Sequence, residues 1–145
     1  MYLGKYNFRM KSLKKEIQVL SFLYNMIHSL ITIKHVPKGW GYEKWIANSP
    51  EYCGKLLFIE KTKRCSWHYH KLKDETFYIQ SGKIHLFYGK TDELKDAKTT
   101  ILEPGDRFHV YRGLRHQMIA LEDTELFEFS TQHFDDDSYR IFKGD

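Results

Sequence analysis

The hydrophobic texture of the chain changes once, near residue 34. Before that point Val19–Ile33 (VLSFLYNMIHSLITI) is an apolar run in which Leu20, Leu23, Ile27, Leu30 and Ile31 recur at helical spacing, the mark of an amphipathic helix. The run contains Asn25, His28 and two serines, and it is shorter than the ~20 apolar residues a membrane span requires. Lysines precede it, but no small-residue cleavage site comes after, so it does not read as a secretory leader. Residues 1–34 are expected to form a basic arm and a helix that packs on the rest of the chain or on a second subunit.

From residue 35 to 145 the pattern is one of short β-like runs. The expected strands are Lys55–Glu60, Cys65–His70, Glu75–Gln80, Lys83–Tyr88, Thr99–Leu102, Arg107–Tyr111, His116–Leu121 and Thr124–Ser130. Turn signals separate most of them: Ser81-Gly82, Gly89, Pro104-Gly105-Asp106, Arg112-Gly113 and Glu122-Asp123. Many short strands at regular spacing predict an all-β sandwich or barrel, whereas strands alternating with helices would predict a parallel sheet. Lys90–Lys98 reads as an exposed hairpin tip, and His133–Asp145 as a polar tail folded along the barrel. With no repeat and no low-complexity linker, residues 35–145 make one domain.

Composition sharpens this picture only slightly. Aromatic residues make up 16% of the chain, with 10 Tyr and 10 Phe, which suits a pleated surface. The net charge of +4 comes from interspersed acids and bases; without a Lys/Arg stripe it argues against a nucleic-acid partner. The two cysteines, Cys53 and Cys65, form no CxxC pair and read as reduced thiols of a cytoplasmic protein.

The chemistry concentrates in residues 65–75, Cys-Ser-Trp-His-Tyr-His-Lys-Leu-Lys-Asp-Glu. His68 and His70 stand two apart, so a strand would aim both imidazoles to one face. By the same alternation Cys65 shares the face of Trp67 and is expected to point away from them. Glu75 opens the next strand and adds a carboxylate, and His116 arrives from a distant strand. Three neutral imidazoles and a carboxylate suit one divalent transition metal ion, whether Fe, Mn, Ni, Co, Cu or Zn, with coordination positions left for water or substrate. His28, His35, His85, His109 and His133 read as surface or packing residues.

These residues resemble the cupin superfamily. Its first motif, G(x)5HxH(x)3–4E(x)6G, is matched by His68, His70, Glu75 and Gly82, with Thr62 where the leading glycine stands. Its second, G(x)5PxG(x)2H(x)3N, is matched by Gly105, Gly113 and His116, with Tyr111 for the proline and Ala120 for the asparagine. The resemblance implies a double-stranded β-helix, or jelly-roll barrel, with the metal in its mouth, often as a homodimer. Trp40-Gly41-Tyr42-Glu43, Gly105-Asp106, Glu128 and the ending Asp135–Arg140 further look like the C-terminal cupin domain of bifunctional mannose-6-phosphate isomerase/mannose-1-phosphate guanylyltransferases. That family usually carries glutamine at the position of His68, and its nucleotidyltransferase half has no counterpart here.

The resemblance favours a metal-dependent isomerase or epimerase of a small sugar or sugar phosphate. In that reading the ion polarises a carbonyl and Lys55, Tyr78 or Glu128 handles the proton. An iron-dependent dioxygenase and a non-catalytic small-ligand-binding cupin are the alternatives. Trp40 and Trp45 are candidates to stack on a sugar ring, with core packing the commoner role of such rings.

Overall fold

A computed structural model of the chain describes the backbone of residues 2–31 and 33–145, and the side chains of residues 13–27 and 33–145. The chain divides into two units, Met1–Ile33 and Lys34–Asp145. The first is a single helix, α1 (Tyr2–Ile31). Among its described side chains, Val19, Leu20, Phe22, Leu23, Tyr24, Met26 and Ile27 are all exposed. The side chains of Leu30 and Ile31 lie outside the described residues. No described helix is long and apolar enough to cross a membrane.

The second unit is an antiparallel β structure of eleven strands in two sheets. The strands are β1 (Lys34–Lys38), β2 (Gly41–Asn48), β3 (Cys53–Ile59), β4 (Trp67–Tyr69), β5 (Glu75–Ser81), β6 (Ile84–Gly89), β7 (Lys98–Leu102), β8 (Arg107–Val110), β9 (Arg115–Ala120), β10 (Thr124–Ser130) and β11 (Tyr139–Phe142). One sheet runs β1-β2-β3-β10-β5-β8, the other β11-β4-β9-β6-β7. This is the all-β sandwich that the strand spacing predicts, in the jelly-roll form that the resemblance implies. A 3-10 turn, Leu94–Asp96, tips the β6–β7 connection.

The structure corrects the sequence reading at both ends of this unit. The β1–β2 hairpin is absent from the strands expected from sequence, and the C-terminal segment is no mere tail. Its β11 pairs with β4, placing Tyr139 opposite Tyr69 and Arg140 opposite His68.

Alternation does the sorting between the sheets. On β5, Glu75, Phe77 and Ile79 are buried while Thr76 and Tyr78 are not, as a period of two demands. Ile59, Ile79, Ile84, Leu86 and Leu126 are wholly buried and, with Leu57, Phe77 and Met118, form the core between the sheets. Turn geometry is set by glycines with positive φ, among them Gly105 (95°) and Gly113 (84°). Thr62 replaces the glycine of the first motif yet keeps φ at 70°, a conformation that a β-branched residue adopts only under strain.

Candidate metal centre and cavity

His68 enters from β4 and His116 from β9, directly paired across the sheet; His70 stands one residue beyond the end of β4. Each offers one ring nitrogen, and the three nitrogens lie within 4.8 Å of one another, a cluster able to hold a metal ion. Their tautomers are fixed by carbonyls. The Nδ1–H of His68 donates to Ser66 O at 2.9 Å, that of His116 to Leu114 O at 3.2 Å, and that of His70 to Asp137 O. All three Nε2 lone pairs are thereby left for a ligand, the arrangement that outer-sphere carbonyls give metal-binding histidines. Burial pushes the His68 imidazole down to about 4 and His70 to about 3, and holds His116 well below its ordinary value, so all three are neutral near pH 7.

Glu75 is buried beside them. Its Oε1 takes the ammonium of Lys73 and lies 3.6 Å from His70 Nε2; its Oε2 is 3.4 Å from His116 Nε2. That Oε2 is a buried oxygen with no hydrogen-bond partner among the described residues. An orphaned acceptor facing imidazole lone pairs is what a cation between them would satisfy, so the donor set fits a divalent transition metal.

A cavity of about 270 Å³ opens over this cluster. Its wall holds a buried charge network. Lys73 Nζ donates to Glu128 Oε1 at 2.8 Å, and Ser130 Oγ donates to the same carboxylate oxygen at 3.0 Å. Lys55 Nζ is 3.6 Å from Glu128, 3.7 Å from Glu43 and 3.0 Å from His133 Nδ1. The lysines hold the Glu128 carboxyl well below its usual range despite its burial, and the two carboxylates hold Lys73 firmly protonated. His133 Nε2–H in turn donates to Asp135 Oδ1 at 3.2 Å.

Of the residues singled out from sequence, the structure gathers His68, His70, His116, Glu75, Lys55 and Glu128 around one cavity. Tyr78 does not belong there. It stands three residues from Glu75, an odd step on a strand, and is exposed on the outer face. Cys65 is also misjudged by simple alternation: residues 65 and 66 precede β4 and are not extended strand, so Cys65 lines the cavity beside Ser66 and His68. Burial pushes its thiol far up. Trp40 lines the cavity, whereas Trp45 stays behind it, donating to Glu43 Oε2 at 2.7 Å and meeting the ring of His133 edge-on. His109 pairs with Asp74 on the surface and His85 packs on Phe87; the side chain of His28 lies outside the described residues.

Sequence reasoning missed Lys73, Glu43, His133 and Asp137. Asp137 matters most for order at the site: its carboxylate accepts from the backbone N–H groups of Lys71, Leu72 and Lys73, while its carbonyl orients His70. Lys55 and Glu128 did carry a signal, since each stands in phase with buried apolar neighbours, Leu57 and Leu126.

Two facing antiparallel sheets with a three-histidine cluster in the mouth between them define a double-stranded β-helix with a candidate metal centre. Residues 56–129 match the Cupin domain family, and the chain belongs to it. No curated protein matches the chain by sequence. Among solved structures it is similar to KdgF from a Halomonas species (21% identity, TM-score 0.57, covering 66% of this chain and 81% of that one). It is also similar to the capsular polysaccharide assembling protein CapF of Staphylococcus aureus (14%, 0.66, covering 75% and 34%). A Bacillus subtilis oxalate decarboxylase variant matches as well (16%, 0.65, covering 74% and 30%). The chain thus spans about a third of the last two proteins, and at these identities the likeness is one of fold.

Proposed function

We propose that the protein is a metal-dependent isomerase or epimerase of a small sugar or sugar derivative, its ion held by His68, His70, His116 and Glu75. The observation that carries this reading is the convergence of three neutral, carbonyl-oriented imidazoles on one point beside an ionised carboxylate-lysine wall. A bound divalent ion would supply Lewis acidity toward a substrate carbonyl and its neighbouring hydroxyl.

The protein's own groups supply the rest. Glu128 is a carboxylate throughout the neutral range and faces the cavity, so it is the group placed to take a proton from a carbon next to the carbonyl. Its low basicity is conditional, because Lys73 and Lys55 create it. As negative charge grows on the substrate oxygen, Lys73 is drawn toward it and Glu128 is released to bind the proton. Tyr78, on the outer face, has no part in this. Reduced, buried Cys53 and Cys65 suit a cytoplasmic setting. The exposed apolar group Ile46, Tyr52 and Phe129 on the outside of the barrel supports a homodimer.

The test begins with metal. Protein purified without added metal or chelator should carry about one transition metal ion per chain, lost in His68→Ala/His116→Ala. The loaded enzyme should then interconvert at least one member of a panel of aldoses, ketoses, their acids and their phosphates, and Glu128→Gln should abolish that turnover without emptying the metal site. A metal-loaded protein inert on the whole panel would remove the isomerase reading; oxygen uptake by an iron-loaded form would replace it with the dioxygenase one.

A further inference from the structure

The mouth of the cavity carries two cations that the charge network does not use. On β11, Tyr139 turns outward, its ring stacked on Tyr69 at 5.1 Å between centroids. Its neighbour Arg140, paired in register with His68, therefore turns toward the cavity, which it lines. A β-bulge then interrupts the pairing between Arg140 and Phe142. An extra residue re-aims the side chains beyond it, and Lys143 joins Arg140 on the cavity wall, with Ser138 two residues before.

Most other charged groups of the cavity are paired: Lys38 with Glu43 at 3.2 Å, Lys55 and Lys73 with Glu128, and Asp135 with His133. Asp145, also on the wall, has a carboxylate that accepts from the Arg64 backbone N–H. Arg140 and Lys143 have no ion pair or side-chain hydrogen bond among the described residues. Arg140 stands close enough to His68 for its charge to help lower that imidazole's proton affinity. The segment is also held firmly: Asp137 anchors one end through three backbone N–H groups, and Asp145 accepts from the Arg64 N–H at 2.8 Å at the other.

We propose that Arg140 and Lys143, with the Ser138 hydroxyl, form an anion-binding subsite at the cavity mouth, so that the substrate carries a carboxylate or phosphate group. The subsite rests on the sugar reading and deepens it by naming the charge of the sugar. A guanidinium presents a fork that matches either oxyanion. The bulge is what places both cations on the face that the three histidines share.

The experiment is calorimetric titration of the zinc-loaded full chain with glucose, glucuronate and glucose 6-phosphate, repeated on Arg140→Gln, Arg140→Lys and, as a charge-matched control on the outer face, Lys44→Gln. At least one anionic probe should bind about tenfold or more tighter than glucose. Arg140→Gln should erase that preference, Arg140→Lys should keep part of it, and Lys44→Gln should keep all of it, with zinc content unchanged throughout. Which anion is preferred separates a sugar acid from a sugar phosphate. Equal binding of all three sugars, a preference that survives in Arg140→Gln, or no binding by any of them overturns the subsite. An Arg140-dependent preference with no turnover removes the isomerase reading and leaves the subsite standing, while turnover of neutral sugars alone does the reverse.

Discussion

On β3, Ile59 and Leu57 face one end of the barrel and Lys55 the other. β10 repeats the change from Leu126 to Glu128, β5 from Ile79 and Phe77 to Glu75, and β9 from Ala120 and Met118 to His116. The pairing register sets Leu126 beside Leu57 and Ile79, and Glu128 beside Lys55 and Phe77. One set of strands thus builds a dry end and a charged end, both buried. The dry end is stabilised by area and packing, contributions that decline gradually as atoms are removed. The charged end is stable only while its pairs are complete, because desolvated charges are costly when left alone. The difference teaches where this fold tolerates change: side chain by side chain at one end, and only in matched sets at the other.

The largest expected effect breaks the charged end. Glu128→Ala strips Lys73 and Lys55 of a buried partner and should lower stability by about 3–5 kcal/mol, as loss of one member of a buried ion pair does. Leu126→Ala, two residues away, should cost about 2–5 kcal/mol. The comparison is sharpened by Lys73→Met/Glu75→Gln/Glu128→Leu, which removes Lys73 together with both its carboxylates and leaves Lys55 to Glu43. It should recover most of the loss in urea denaturation of metal-free protein, while no partner substitution rescues Leu126→Ala. A triple variant as unstable as Glu128→Ala would show that the network does not act as a unit.

Acid should separate the two ends next. In metal-free protein the three histidines are held neutral, with His68 near 4 and His70 near 3 against an unfolded value of 6.5. The unfolded chain takes up protons as pH falls through 6.5 and the folded chain does not, so stability declines from about pH 6.5 toward pH 4. Glu75 runs the other way, since burial pushes its carboxyl up to about 7 and its protonation favours the folded state over part of the same range. Three groups outweigh one, and the net loss should be on the order of a few kcal/mol. His70→Gln/His116→Gln should flatten the profile of thermal midpoint against pH; an unchanged slope would show that these imidazoles are not held neutral.

Asp137 links the charged end to β11, and Asp137→Ala should weaken metal binding by about tenfold, as loss of outer-sphere support commonly does. Asp137→Asn, which keeps one oxygen for the backbone donors, should recover part of it in a competitive chelator titration. The smallest effect belongs to Thr62, whose backbone N–H is tied to Ala120 O and which does not line the cavity. Thr62→Gly relieves a left-handed β-branched residue and should stabilise the fold by up to about 1 kcal/mol, with metal affinity unchanged.

Much of the barrel is legible in the alternation of strands β3 to β10, because at the dry end most inward faces there repeat an apolar residue every second position. β2 hides because its buried position is Glu43, a charge that breaks the apolar pattern, and β11 because its exposed Tyr139, Arg140 and Phe142 alternate nothing. The histidines and Glu75 are legible from spacing alone. Lys73 is not: it sits in a charged loop that reads as solvated, and one of its two carboxylate partners, Glu128, comes from 55 residues away. His133 is hidden for the same reason, as its partner Lys55 is 78 residues distant. Tyr78 and Cys65 fail in opposite ways. Strand parity puts Tyr78 outside, whereas parity does not govern Cys65, which lies beyond the end of its strand.

The contact between His70 and Asp137 spans 67 residues, and this sets a timetable for the nascent chain. His68, Glu75 and His116 are all synthesised before the segment that orients His70. A metal ion that reached the cluster before Asp137 was in place would meet ligands without their final aim. Docking of the Asp137 segment, not synthesis of the last histidine of the cluster, is the event that completes the aim of these side chains.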